Sequence, residues 1–399
     1  MSGFYFSDNQ IDTILYEVLK QKKMKIVIIG PAHPLRGGLA EFNERIAREF
    51  ISAGDTVEMV TFSLQYPNFL FPGKTQYSEE EKPSDLSIDV AMNSVNPFNW
   101  LSVGKKIRKM QPDLVICRFW LPFMGPCLGT ILRQIKKNKK TKIVSIIDNI
   151  IPHEKRIGDK AFASYFVKPV DGFVVMSRSV ETELQTFITK EQKVSYIPHP
   201  IYDSYGAHWD KKVACKALDL PSEQAYLLFF GFIRKYKGLD ILLEAMSDPR
   251  IRALGVKLMV AGEFYDNETA YHELIEKHQL QDLLVLRTDY IAKDKVGAYF
   301  GAADMVVQPY RTATQSGISQ LAYHFEVPML VTKVGGLPEV VEHDKVGYVV
   351  APSNPKEVAD GIVDFYNNNR AAEFKKGVQE RKADFSWESL LNGIKNLVK

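Results

Sequence analysis

Short, continuous apolar runs, each closed by a glycine, a proline or a polar turn, recur along almost the whole chain. KIVIIG opens the series at Lys25, and VEMVTF, LVIC, KIVSII and GFVVM follow, separated by helical stretches. Runs that are apolar on both faces suit strands covered by helices on either side, the condition of a parallel sheet. After the first run, Leu39, Phe42, Ile46 and Phe50 form one helical stripe, and Gly54 stands where a left-handed helix end is expected. Alternation of this kind predicts a doubly wound α/β sheet. The pattern then restarts. After PHPIYDSY come YLLFFG, VKLMVAG, VLR, DMVVQP, PMLVT and VGYVV. Two Rossmann-like domains joined near residue 200 are therefore expected, facing each other across a cleft onto which both sets of strand carboxyl ends open.

At 399 residues the chain exceeds one comfortable core and fits two domains. The expected division is a leader helix over 1–23, a first domain over 24–200, a second over 201–384 and a closing helix over 385–399. The leader stripe of Ile11, Ile14, Leu15 and Leu19 fits packing on the body or on a second copy better than membrane anchoring. A net charge of +3 gives no case for nucleic acid as partner. Cys117, Cys127 and Cys215 have no metal-ligand spacing and cannot all pair, which favours a reducing compartment. No apolar run reaches the roughly 20 residues of a membrane span, and the first residues do not read as a secretory signal. The expected location is cytoplasmic. The basic run Arg133–Lys142 reads as a solvated helix end that leaves room for peripheral contact at the inner membrane face.

Chemistry concentrates in four loops that leave strand ends. GPAHPLRGGLAEF lacks the GxGxxG spacing of a dinucleotide fingerprint, but Gly37 and Gly38 let the backbone approach a ligand at a helix start. FFGFIRKYKG places Arg234, Lys235 and Lys237 on one turn. SIIDNIIPHEKRIG sets Asp148 and His153 on one cleft-facing loop, where Asp148 would orient or deprotonate a hydroxyl and His153 would do the same or bind a phosphate. In DMVVQPYRTATQSGISQLAYHF, the polar loop Thr312–Ser316 opens a helix at Gly317, a geometry suited to a phosphate or diphosphate. Ile318, Leu321, Ala322 and Phe325 are expected to face the core, which turns Gln320 toward the cleft or solvent.

The whole segment Asp304–Pro352, and GGLPEVVEHDKVGYVV most specifically, resembles the donor-binding half of family-4 glycosyltransferases of the GT-B fold. A looser resemblance extends over roughly 24–399. It implies a retaining, metal-independent enzyme that moves a hexose-type sugar from a nucleotide-sugar to a saccharide or lipid-linked acceptor, in cell-surface polysaccharide or glycoconjugate assembly. No cofactor is implied, and no Asp-x-Asp pair for a bridging metal occurs in the chain. The closing helix is expected to cross back onto the first domain. By the resemblance Lys237 falls on the family's diphosphate-binding lysine. The family's arginine is Phe232 here, with Arg234 the nearest substitute. Gly37 and Gly38 would lie beside the diphosphate, and His33 and Arg36, with His153, on the acceptor side. Glu263, Tyr290 and Ile291 would line the nucleotide pocket. Thr314, Gln315, Ser316 and Gly317 would meet sugar hydroxyls and phosphate oxygens. Thr312 and Gln320 stand where the family carries two glutamates, of which the second binds the ribose. A GT-B nucleotide-sugar epimerase and a non-catalytic nucleotide-sugar-binding subunit are the alternative readings.

Overall fold

The computed structural model describes residues 23–67, 75–151 and 156–399, so the expected leader helix (Lys23 apart) and His153 lie outside the described residues. Seven strands form the first sheet: β1 (Lys25–Ile29), β2 (Thr56–Leu64), β3 (Ile88–Asn93), β4 (Leu114–Phe119), β5 (Lys142–Ile147), β6 (Gly172–Val175) and β7 (Lys193–Tyr196). Their order is β3-β2-β1-β4-β5-β6-β7, and every pairing is parallel. The second sheet holds β8 (Tyr226–Phe230), β9 (Lys257–Ala261), β10 (Leu284–Arg287), β11 (Met305–Gln308), β12 (Met329–Thr332) and β13 (Gly347–Val350). Its order, β10-β9-β8-β11-β12-β13, repeats the first with one strand fewer, again all parallel. The expected pair of doubly wound sheets is present.

All the strands read from apolar runs exist. β3 and β7 were not expected, and both are edge strands with only partial burial. An edge strand lacks the doubly buried environment that writes a continuous apolar run, so IDVAMN and KVSY carry no such signature.

In each sheet the strand order reverses once, between β1 and β4 and between β8 and β11. The loops leaving those four strands open into the crevice where ligands of such sheets bind. Below it one apolar cluster is continuous through both domains, joining Phe42, Ile197 and Tyr202 to Tyr310, Leu321 and Phe385. The closing helix Trp387–Leu397 does cross back. It buries Trp387, Leu390, Leu391 and Ile394, packing on helix Gly38–Ser52 and on β6 and β7. Each such side chain contributes on the order of 1.5–3 kcal/mol. The Trp387 indole donates to the Ile201 carbonyl at 2.8 Å, and Lys395 pairs with buried Asp55 at 2.8 Å.

Candidate active site

A cavity of about 230 Å³ lies between the two sets of strand ends. Its first-domain wall is the loop after β1 and the start of helix Gly38–Ser52, including His33, Arg36, Gly37, Gly38 and Glu41. Gly37 has φ 103° in the left-handed region, so the helix starts without a side chain between its amide groups and the cavity. The second-domain wall comes from Phe230, Gly231, Phe232, Lys237, Glu263, Tyr290 and Ile291, with Gly317, Ile318 and Leu321 of helix Gly317–His324. Tyr202 stands between the domains. Its hydroxyl donates to the Gly38 carbonyl at 3.2 Å, and a Cβ on Gly317 would meet its ring at 2.9 Å.

Lys237 is the chemically distinctive group. The chain leaves β8 at Gly231 and makes a single 3-10 turn over Lys235–Lys237, closed by Gly238 at φ 70°. That turn folds Lys237 inward until only 8% of it is exposed. Burial, and then the Arg234 charge, push its ammonium down to about 7, and no carboxylate among the described residues offsets either effect. Arg234, two residues earlier, is exposed, does not line the cavity and lies 5.6 Å from the Tyr265 ring. Of the expected pair, Lys237 lines the cavity and Arg234 does not. Phe232 lines the cavity where the family's arginine was expected and packs on Tyr265, ring centroids 4.3 Å apart.

Two ion pairs cross the cleft. Arg36 of the first domain meets Glu263 of the second at 3.1 Å and lies over the Tyr290 ring at 4.1 Å. Lys293 of the second meets Glu41 of the first at 2.5 Å. The imidazole of His33 is 3.1 Å from the Glu80 carbonyl at the cavity edge.

Asp148 is not placed as a free base. It is 5% exposed, and the equally buried Arg118 grips both of its oxygens at 2.6 and 2.7 Å. Gln315 of the second domain adds a third bond at 2.8 Å, and its neighbour Thr314 donates to Asn149 at 2.6 Å. The strand end thus carries a satisfied, inter-domain carboxylate. Neither Asp148, Thr312, Thr314 nor Gln315 lines the cavity. Ser316 caps helix Gly317–His324, its Oγ accepting from the Ile318 amide at 3.3 Å.

Gln320 requires a larger correction. It is 1% exposed, its Oε1 is buried without a partner, and it does not reach the cavity. Leu321, Ala322 and Phe325 are in the core as expected, with Ile318 packed against them, and Ile318 and Leu321 also border the cavity. The cleft wall on this helix is apolar, and an apolar stripe does not reveal whether it lines a core or a cleft.

Sequence reasoning missed Arg118, Tyr202, the Glu41–Lys293 pair and His199. Arg118 had a signal: a charge closing the apolar strand LVICRF sits at a strand's carboxyl end. His199 lies against Phe42 and Tyr202, and burial followed by the Arg118 charge holds it down to about 4, so it is neutral.

Residues 224–368 match the family model of Glycosyl transferases group 1. An uncharacterized glycosyltransferase of Methanocaldococcus jannaschii is 24% identical over 399 residues, covering 94% of this chain and 98% of that one. A D-inositol 3-phosphate glycosyltransferase 2 of Catenulispora acidiphila is 27% identical over 189 residues, 45% of this chain and 44% of its own. Sucrose-phosphate synthase from Thermosynechococcus elongatus shares the fold at TM-score 0.74 and 16% identity, covering 94% of this chain and 98% of that one. Anabaena Alr3699/HepE in complex with UDP-glucose does so at TM-score 0.69 and 16% identity, over 94% and 99%. Two facing parallel-sheet domains, a cleft at their strand ends and a helix returning to the first define the GT-B fold, and the relatives that the chain resembles are glycosyltransferases. The match to glycosyl transferases group 1 lies within the second domain, over residues 224–368.

Proposed function

We propose that the cleft transfers a hexose-type sugar from a nucleoside-diphosphate sugar to a saccharide or lipid-linked acceptor, with retention of anomeric configuration and without a metal ion. The observation that carries this reading is Lys237, a buried lysine on the cavity wall that no carboxylate among the described residues pairs with. A diphosphate seated against it would supply the missing charge, and that pairing would strengthen as the leaving group departs. The amino end of helix Gly38–Ser52 adds unpaired amides on the same cavity. The Anabaena protein was solved with UDP and with UDP-glucose, in line with a ligand of this class.

In this mechanism the bond between the anomeric carbon and the diphosphate oxygen breaks while the acceptor oxygen bonds to the same face of that carbon. The acceptor's proton passes to the departing phosphate oxygen. Asp148, held by Arg118 and Gln315, is not required to take it. Lys237 must be charged to do its part, so at pH 8 nucleotide binding should draw in close to one proton as its ammonium reforms. Calorimetry of UDP, GDP and ADP in EDTA, repeated in buffers of different ionisation heat, measures this directly. Binding that needs magnesium, or that takes up no proton, would count against the reading. Proton NMR of the product formed from a panel of nucleotide sugars tests the stereochemistry, and an inverted anomer rejects retention.

A further inference from the structure

We infer that the outer face of helix Pro97–Met110, together with the carboxyl end of the adjacent helix Gly125–Lys136, docks this enzyme on an anionic lipid surface. The inference does not rest on the donor reading. From Leu86 to Ile150 the chain carries eleven Lys and Arg against three Asp and no Glu, although the whole protein is only +3. The fold gathers much of that charge on one surface. On helix Pro97–Met110, Phe98, Leu101, Lys105 and Lys109 follow one another at helical spacing and are all exposed, while Val103, Gly104 and Ile107 are buried behind them. A Cβ on Gly104 would meet the Gln134 side chain at 2.6 Å and the Ile131 carbonyl at 3.0 Å, so the second helix lies directly alongside. Just past its carboxyl end, Lys137, Lys139 and Lys140 are exposed as well.

Acids neutralise only part of this surface. Lys106 pairs with Asp89, Lys136 with Asp171, and Lys140 more loosely with Asp113 at 3.6 Å. No carboxylate pairs with Lys105, Lys109, Lys137 or Lys139 among the described residues. The same stripe carries Phe98 at 84% exposure, next to exposed Val95 and Leu101. A ring that pays for water exposure beside a row of unpaired lysines is the composition of a surface-seated helix: the ring enters the headgroup layer and the lysines meet acidic lipid. A nucleic-acid backbone or an acidic protein would use the charge but not the aliphatic and aromatic tip. The apolar tip lies at the helix amino end, which leaves β3 at its carboxyl end and hence on the cleft side of the domain. Seating it would bring the mouth of the cleft to the lipid.

The test is co-sedimentation of the full chain with vesicles of phosphatidylglycerol and phosphatidylcholine, and with phosphatidylcholine alone. Binding is expected on the acidic vesicles only, and should fall as salt is raised from 0.05 to about 0.5 M. Each lysine is expected to carry about a fivefold share of partitioning. Changing Lys105, Lys109, Lys137 and Lys139 together to Ser should therefore cost at least about a hundredfold. Phe98→Ser should cost about tenfold. Both variants should keep the parent's melting temperature and UDP affinity, which separates lost docking from lost folding. No sedimentation with acidic vesicles, equal binding to neutral ones, or unchanged partitioning of the four-lysine variant would each overturn the inference. So would capture by heparin or DNA without vesicle binding, which would assign the charge to a soluble polyanion.

Discussion

Replacing Lys237 by Met should make the empty protein more stable and the site useless, and the size of both effects follows from the burial of one ammonium. Its pKa falls from 10.5 to about 7, which at about 1.36 kcal/mol for each tenfold change in proton affinity amounts to about 5 kcal/mol. The sign is fixed by linkage. Between pH 7 and 10.5 the unfolded chain holds a proton that the folded one has lost, so this group's penalty is full below pH 7 and fades as pH rises toward 10.5. Methionine fills nearly the same volume without a charge to desolvate. At pH 7 the variant should therefore melt higher than the parent by on the order of 5 °C or more. The gap should close as the pH is raised to 10. UDP at a hundred times its dissociation constant should stabilise the parent by about 2.7 kcal/mol and leave the variant unmoved. Thermal melts at pH 7, 8.5 and 10, with and without UDP, give all three readings. A variant that melts lower at pH 7, or a gap that does not narrow with pH, would show that Lys237 has a counter-charge and that the reasoning from burial fails.

Further substitutions separate site residues from supports. Gln320→Leu removes a buried, unpartnered acceptor, so stability should stay within about 1 kcal/mol or rise, and UDP affinity should not change. Leu321→Ala, one residue on, opens the cavity wall and should weaken UDP binding severalfold in calorimetry. If Gln320 rather than Leu321 controlled affinity, the helix would be turned the other way. Asp148→Asn leaves Arg118 buried without its counter-charge and should cost about 3–5 kcal/mol of stability, read by chemical denaturation. The pair Arg118→Met with Asp148→Leu should recover much of that loss. A general base would behave differently: turnover would vanish in Asp148→Asn while the denaturation curve stayed in place.

These outcomes bear on which parts of such a protein its sequence can announce. A strand buried on both faces has no choice but to be apolar throughout, so KIVII, LVICRF and YLLFF declare both their conformation and their place in the sheet. The strand ends then point to the loops that form the cleft, which is why Gly37, Gly38, Lys237, Glu263, Tyr290 and Ile291 were found from pattern and resemblance and do line one cavity. Reading failed where one side chain has two acceptable neighbours. Asp148 at a strand end looks the same in sequence whether it faces substrate or a buried arginine, and the decision belongs to Arg118, thirty residues away on the adjoining strand β4. Ile318 and Leu321 pack on the core and also border the cavity, and the stripe shows only the first. Both ambiguities have one physical origin. A sequence pattern records how much water a residue avoids, but not whether the space that replaces the water is filled by the chain or kept open for a ligand. Polar satisfaction does distinguish them. Asp148, with three bonds to its two oxygens, is filled by the chain, whereas Lys237, equally buried, has no counter-charge among the described residues, the want that the proposed diphosphate would meet.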